Sequence, residues 1–266
     1  MLDDRPWGRI PRWGIRASPE DAGPNRTPRP ARPRALTKPK GMSMPWKTEI
    51  EMFRFMEEHF YAAALSDILD GLGYRGCAVK PQAMIKPLFP QAVCAGRVRT
   101  LLNAPKRTGR INPYRLALEL MDSLKPGEVA VAASTKPLEA GIMGELSATA
   151  MKARGARGCL VDGFTRDARK IILMRFPVFA RGVSPIDTTD RAAVVDYDCP
   201  IMFGGRKVTP GQIVFADLDG IIFLPKAVEE EAIRQALGRV RAESRVRNVL
   251  RGGRKAQDVW KKYRVF

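Results

Sequence analysis

GIMGELSATAMKARGARGCLVDGFTRD, residues 141–167, reads as a glycine turn, a helix over 144–154, a buried strand over 158–162 and a second turn that closes on Arg166-Asp167. Gly155 stops the helix. A parallel βαβ crossover brings the chain back to the sheet edge from which it left. The turn at 141–145 and the turn at 163–167 therefore face each other. The first offers backbone N–H groups and the Glu145 carboxylate. The second offers a guanidinium and a carboxylate. That pairing suits a small anion and a divalent metal.

The flanks of this stretch extend the same pattern. EVAVAA at 128–133 reads as a buried strand, AVCAGRVRT at 92–100 as another, and FPVFAR at 176–181 as a third. Residues 111–123 read as a short helix. Residues 46–70 read as one helix, or two with a break near Phe60, ended by Gly71 and Gly73. Beyond Val183 the texture changes. AAVVDYD, PIMFGG, KVT and QIVFADLDGIIFLP are short strands punctuated by Gly204-Gly205, Pro210-Gly211 and Asp219-Gly220. A helix over 226–250 follows, with Glu229, Glu230 and Glu231 suiting its N-terminal dipole. The architecture expected is α/β, one domain over 42–266 with a parallel part feeding an antiparallel, barrel-like part. Residues 226–266 form its C-terminal helical tail.

Composition bounds the function. Of the 21 prolines, 8 fall in residues 1–41, a stretch without sustained period that is expected to be a disordered or extended, dispensable tail. The net charge is +18; residues 1–41 carry +6 and residues 238–266 carry +8, leaving +4 for the 196 residues between. The positive charge sits at the ends. No aromatic-basic stacking platform is evident in the sequence, so nucleic acid is not expected as a partner. No apolar run of about 18 residues is present, so no membrane span is expected. The start, MLDDRPWGRI, lacks the apolar core of a secretory signal. Cys77, Cys94, Cys159 and Cys199 form no CxxC pair and read as free thiols in a reducing cytoplasm. His59 is the only histidine. With that one histidine and no zinc-type cysteine spacing, neither a zinc site nor a Ser-His-Asp or Cys-His arrangement is expected, and the helical position of His59 reads as structural.

The chemistry of the facing turns can be stated by residue. The first amides of the 144–154 helix have no intrahelical partner and carry partial positive charge. Gly141 and Gly144 permit close approach to the backbone. Arg166 can hold a carboxylate or enolate oxygen through its planar fork. Asp167 is a hard oxygen ligand for Mg²⁺ or Mn²⁺. Glu145 is the second acid, reaching the metal through water or serving as a base. A 2-oxo acid fits such a site, with the metal as Lewis acid and Arg166 where negative charge develops. A Schiff-base lysine is the competing route. Lys152 sits mid-helix and Lys170 beyond the loop, neither in an apolar strand. Arg181 reads equally as pocket or surface, and Asp217 and Asp219 read as turn residues.

Glu145 is followed by twenty residues and then Arg166-Asp167. This acid–twenty–Arg-Asp spacing resembles the RraA-like family, which holds the class II 4-hydroxy-4-methyl-2-oxoglutarate aldolases and the regulators of ribonuclease E activity. The segments ALSDILDGLG at 64–73, GARGCLVDGFTRD, FPVFARGVSP, VTPGQIVFADLDGIIFLP and the closing basic helix are similar to it in the same order, over roughly residues 46–266. The resemblance implies a swivelling β/α domain with a central barrel-like mixed sheet flanked by N- and C-terminal helices. It implies a homotrimer or a dimer of trimers (a homohexamer), with sites near subunit boundaries. It also implies that Asp167 binds the metal, that Arg166 binds the pyruvyl moiety, and that Glu145 holds metal-bound water and assists proton transfer. The amides near Gly144, Glu145, Leu146 and Ser147 would take the substrate carboxylate.

Two departures from the family pattern stand out. Many members carry aspartate where Glu145 stands, and the extra methylene moves the carboxylate by about 1.5 Å. The strand before the loop often ends in aspartate, whereas here it runs AVAAS. The expected function is a metal-dependent lyase that releases pyruvate from a short 2-oxo acid, with oxaloacetate decarboxylation as a second activity. The alternative is a non-catalytic regulator that binds a ribonuclease.

Overall fold

Apolar runs with few charges form the middle of the sheet. In the computed structural model, which describes residues 44–105 and 114–264, EVAVAAS becomes β3 (Glu128–Ser134) and GCLVDGFT becomes β4 (Gly158–Thr165). They lie parallel between β2 (Cys94–Pro105) and β5 (Val178–Val183). Strand β2 serves two partners on its other side. Its first half pairs antiparallel with β9 (Ile213–Ala216), which turns back into β10 (Ile221–Leu224). Its second half pairs antiparallel with β6 (Ala192–Tyr197), with a register shift at Leu102/Asn103. A two-residue strand, β1 (Lys86–Pro87), lies antiparallel on β5. A separate hairpin holds β7 (Ile201–Phe203) and β8 (Arg206–Val208).

The sheet curls because one segment belts its two outermost strands. Ala78 bridges Ile222 of β10, and the Val79 amide donates to the Ile221 carbonyl at 2.8 Å. Further along the same segment, Lys86 and Pro87 pair with Ala180 and Phe179 of β5. Inside the curl, Val98, Val131, Leu160, Phe179, Val214 and Phe223 meet Phe203 of the hairpin. Alternate residues point outward, as strand periodicity requires. Ala130, Val161 and Val178 are covered by α3 (Arg115–Ser123), α4 (Glu145–Ala153) and α5 (Ala168–Met174). On the opposite flank, Ala95, Phe215 and Ile222 are covered by α1 (Glu49–His59), α2 (Ala62–Gly71) and α6 (Glu229–Arg251). The expected mixed, barrel-like sheet with N- and C-terminal helices is what the chain forms.

Local chemistry explains the breaks. Thr48 caps α1 in a capping box, its hydroxyl accepting from the Glu51 amide at 3.2 Å. Phe60 is extended and ends α1. Asp217 does more than turn the β9–β10 hairpin. Its Oδ1 accepts from the Asp219 and Gly220 amides, while its Oδ2 accepts from the Ala62 amide at 2.8 Å and so caps α2. Glu57 on α1 takes the Ala95 amide at 2.9 Å and the Arg157 guanidinium, tying α1 to β2 and to the turn before β4.

Some boundaries differ from the sequence reading. The strand expected at 92–100 runs on to Pro105. Helix α5 was not anticipated. A separate helix α7 (Ala256–Tyr263) follows α6 after Gly252-Gly253. The tail at 1–41 and residues 111–113 of the expected 111–123 helix lie outside the described residues. All four cysteines are free thiols, three of them buried. Among the described residues no helix is long and apolar enough to cross a membrane.

Candidate functional site

The loop after β3 is stitched to the end of β4. The Ile142 amide donates to the Phe164 carbonyl and the Arg166 amide to the Met143 carbonyl, both at 2.9 Å. The Thr165 hydroxyl donates to the same Met143 carbonyl at 2.7 Å. The two turns expected to face each other do so at hydrogen-bond distance.

The two glycines serve this contact. A Cβ on Gly141 would lie 2.9 Å from Cβ of Arg166, and a Cβ on Gly144 would lie 2.7 Å from Oδ2 of Asp167. Neither glycine has a positive φ. The close approach expected of a ligand is made here by Arg166 and Asp167 themselves.

Asp167 adopts φ 57° and ψ 29°, the left-handed region that aspartate tolerates better than most residues. That backbone turn sends its carboxylate back to α4, where Oδ2 accepts from the Glu145 amide at 3.1 Å. Oδ2 also lies 3.5 Å from Nε of Arg166. Oδ1 has no hydrogen-bond partner among the described residues. Of the exposed amides of the first α4 turn, Asp167 therefore uses that of Glu145. Those of Leu146 and Ser147 have no acceptor among the described residues, since the first bond back along the turn is from Ala148 to Gly144. They remain a small anion site.

Arg166 is held from a third side. Its Nη1 lies 3.0 Å from Oδ1 of Asp187, in the loop after β5. Asp187 also accepts from the Thr188 amide at 2.6 Å and the Thr189 hydroxyl at 2.9 Å. Burial raises the Asp187 pKa, but the Thr189 and Thr188 hydrogen bonds and the Arg166 charge outweigh it and hold the carboxyl below its usual range. Asp187 was missed from sequence. The available signal was topological: β5 is parallel to β4, so its following loop arrives at the same edge.

Arg166, Asp167, Asp187, Gly144, Leu146 and Ser147 line one cleft of about 340 Å³. The rest of its lining is mainly apolar and includes Leu118, Met121 and Val194 with Asn103 and Tyr114. Asn103 is buried and donates to the Ala133 carbonyl at 3.2 Å. Opposite it in register, Ser134 stands where the strand was noted to lack an aspartate, and its hydroxyl is buried without a partner among the described residues.

Glu145 contributes its amide to the site, but its carboxylate is turned along α4. Oε1 accepts from the Thr149 hydroxyl at 2.9 Å and Oε2 lies 3.9 Å from Nζ of Lys170. It does not line the cleft. Lys152 donates to the Met174 carbonyl at 2.7 Å, and both lysines are exposed. Arg181 pairs with Asp162 rather than lining the cleft. His59 packs on Phe55 with ring centroids 4.3 Å apart.

No group of three or more His, Cys, Asp or Glu suited to a metal occurs among the described residues. The donor chemistry nevertheless fits Mg²⁺ or Mn²⁺. Such ions commonly take one or two carboxylates and complete their shell with water and ligand oxygens. Asp167, with its uncommitted Oδ1, would hold the ion, and Glu145 would reach it through water only with its carboxylate turned away from Thr149 and Lys170.

The sequence matches the RraA-like family, described as Aldolase/RraA, over residues 62–223. A Halalkalibacterium halodurans protein provisionally named 4-hydroxy-4-methyl-2-oxoglutarate aldolase is 30% identical over 172 residues, covering 65% of this chain and 76% of that protein. A Pseudomonas aeruginosa protein with the same provisional name is 31% identical over 114 residues, 43% of this chain and 70% of that one. Among solved structures, Streptomyces coelicolor RraAS2, described as an unusual member of the RNase ES inhibitor RraA protein family, matches with a TM-score of 0.65 and 25% identity. That match covers 76% of this chain and 99% of the other.

Proposed function

Since this chain belongs to the RraA-like (Aldolase/RraA) family, we propose that it is a carbon–carbon lyase dependent on Mg²⁺ or Mn²⁺, cleaving a short 2-oxo acid to pyruvate. Substrates of the 4-hydroxy-4-methyl-2-oxoglutarate type lead, with oxaloacetate decarboxylation as a second activity. The observation that carries the reading is the shared cleft: the Leu146 and Ser147 amides, without an acceptor among the described residues, lie in it with Arg166 and Asp167.

The residues divide the work. The Leu146 and Ser147 amides take the substrate carboxylate. Asp187 and Asp167 aim the Arg166 guanidinium, which adds positive charge where the enolate oxygen forms. When bound at Asp167, the divalent ion supplies Lewis-acid polarisation of the 2-oxo group. Glu145 assists proton transfer, which requires its carboxylate to leave Thr149 and Lys170.

The test is a screen of 2-oxo acids coupled to pyruvate detection, with and without EDTA. Turnover is expected only with the metal. Arg166→Ala and Asp167→Ala should each lower kcat/KM by about a hundredfold or more, the scale for removing one electrostatic group at a reacting centre. Full activity in both variants would sink the assignment.

The proposal includes a homotrimer or a dimer of trimers. Leu146, in the cleft lining, and Leu173, Val183 and Ile186 are exposed apolar side chains that a neighbouring copy would cover. Light scattering after gel filtration checks the mass. A second reading, a protein that regulates a ribonuclease by contact, draws support from the likeness to RraAS2. Capture of an RNA-degrading partner without turnover of any 2-oxo acid would favour it.

A further inference from the structure

The cleft lies between α3, α4 and β6; the strongest charge lies elsewhere. Beyond Gly238, 10 basic residues are offset by only Glu243 and Asp258. Glu243 is already engaged by Arg239 and the Tyr61 hydroxyl. The end of α6 and all of α7 form a helical hairpin turned at Gly252-Gly253, with Val246 and Val259 buried and most other side chains exposed. Arg245, Arg247, Arg251, Lys255, Lys261 and Lys262 are all exposed, and among the described residues none forms a salt bridge. Arg247 and Arg251 stand one helical turn apart, an arrangement that weakens a helix unless an anion neutralises it.

Two aromatic rings sit within this charge, Tyr263 with Lys262 Nζ 5.3 Å from its centroid, and Trp260, the more exposed of the two. Trp260 is 46% exposed, next to Lys261 and Lys262, with the Arg264 guanidinium 5.9 Å from its ring centroid. Val259 anchors α7 beside it. The sequence alone hides this arrangement, because spacing does not tell which side of α7 is buried.

The geometry points to the α6–α7 hairpin as a binding surface for a single-stranded nucleic acid, with the cations tracking phosphates and Trp260 stacking on a base. From Arg241 to Arg251 the helix advances about 15 Å, the axial length of about four phosphates of one strand. An acidic protein partner would use the cations and leave the indole without a role. The inference is independent of the lyase reading, because the hairpin follows α6 on the opposite flank of the sheet from the cleft.

The experiment is fluorescence anisotropy of the full chain with a labelled 16-nucleotide oligouridylate RNA across a salt series. Binding should weaken linearly in log K against log salt, and Arg251→Ala should flatten the slope by about 0.7. Trp260→Ala should weaken binding roughly five- to 150-fold while leaving the slope unchanged. Circular dichroism and the thermal midpoint confirm that the variants fold. No salt-sensitive binding overturns the inference. So does equal displacement by polyglutamate together with a neutral Trp260→Ala, which would make the surface a site for acidic protein.

Discussion

A Cβ added at Gly144 would meet Oδ2 of Asp167 at 2.7 Å. The atom it meets is the end of a side chain, so the fold can yield by rotating Asp167 away. Gly144→Ala should therefore move the thermal midpoint by less than about 2 °C, as for a change of a few tenths of a kcal/mol. It should lower kcat/KM at least about tenfold, because misplacing a reacting group by about 1 Å is costly. Steady-state kinetics and a melting curve on the same sample separate the two effects. An unchanged kcat/KM would mean that the bond from the Glu145 amide to Asp167 has no part in catalysis. Arg166, Asp167 and the α4 amides could be read from sequence because one crossover fixes where its two ends arrive. Asp187 could not, since Ser-Pro-Ile-Asp gives no local sign of a partner. The direction of the Glu145 carboxylate was equally hidden, because a rotamer is chosen by neighbours such as Thr149 and Lys170.

Among the elements, α2 and α6 are joined by a polar tether. The Tyr61 hydroxyl donates to the Glu243 carboxylate. Burial, and then the hydrogen bond and charge of Glu243, push the Tyr61 pKa up from 10.0 to about 12. A pKa raised on folding adds stability below the unfolded value, and that stability is lost as pH rises through the folded one. The difference between the parent chain and Tyr61→Phe should thus be constant, at about 1 kcal/mol, up to pH ~10. It should fade as pH approaches about 12. Urea titrations across that window check it, and a constant difference up to the top would exclude the tether as its source. Long periodic elements such as α6 were legible from sequence. Helix α5 was not: its 7 residues lie between Asp167 and Arg175, both left-handed, and offer too short a run for a period.

For the whole molecule, the order of parallel and antiparallel parts was legible because buried strands and turn residues alternate in the sequence. The segment that closes the barrel-like sheet was not. Residues 77–91, which carry Pro81, Pro87 and Pro90, show no sustained period, and only the tertiary structure shows them bonded to β10 at one end and to β5 at the other. Val79→Pro removes the donor to the Ile221 carbonyl and should cost about 1–3 kcal/mol in a urea titration, the penalty for an acceptor left without its partner. The belt also governs behaviour between molecules. An uncovered outer strand is a template on which another chain can add. By occupying the outer sides of β10 and β5, residues 78–87 deny that template to other copies. Val79→Pro should therefore raise turbidity and thioflavin fluorescence at concentrations where the parent chain stays clear. In this sense the connecting segment is the molecule's protection against growing into fibres.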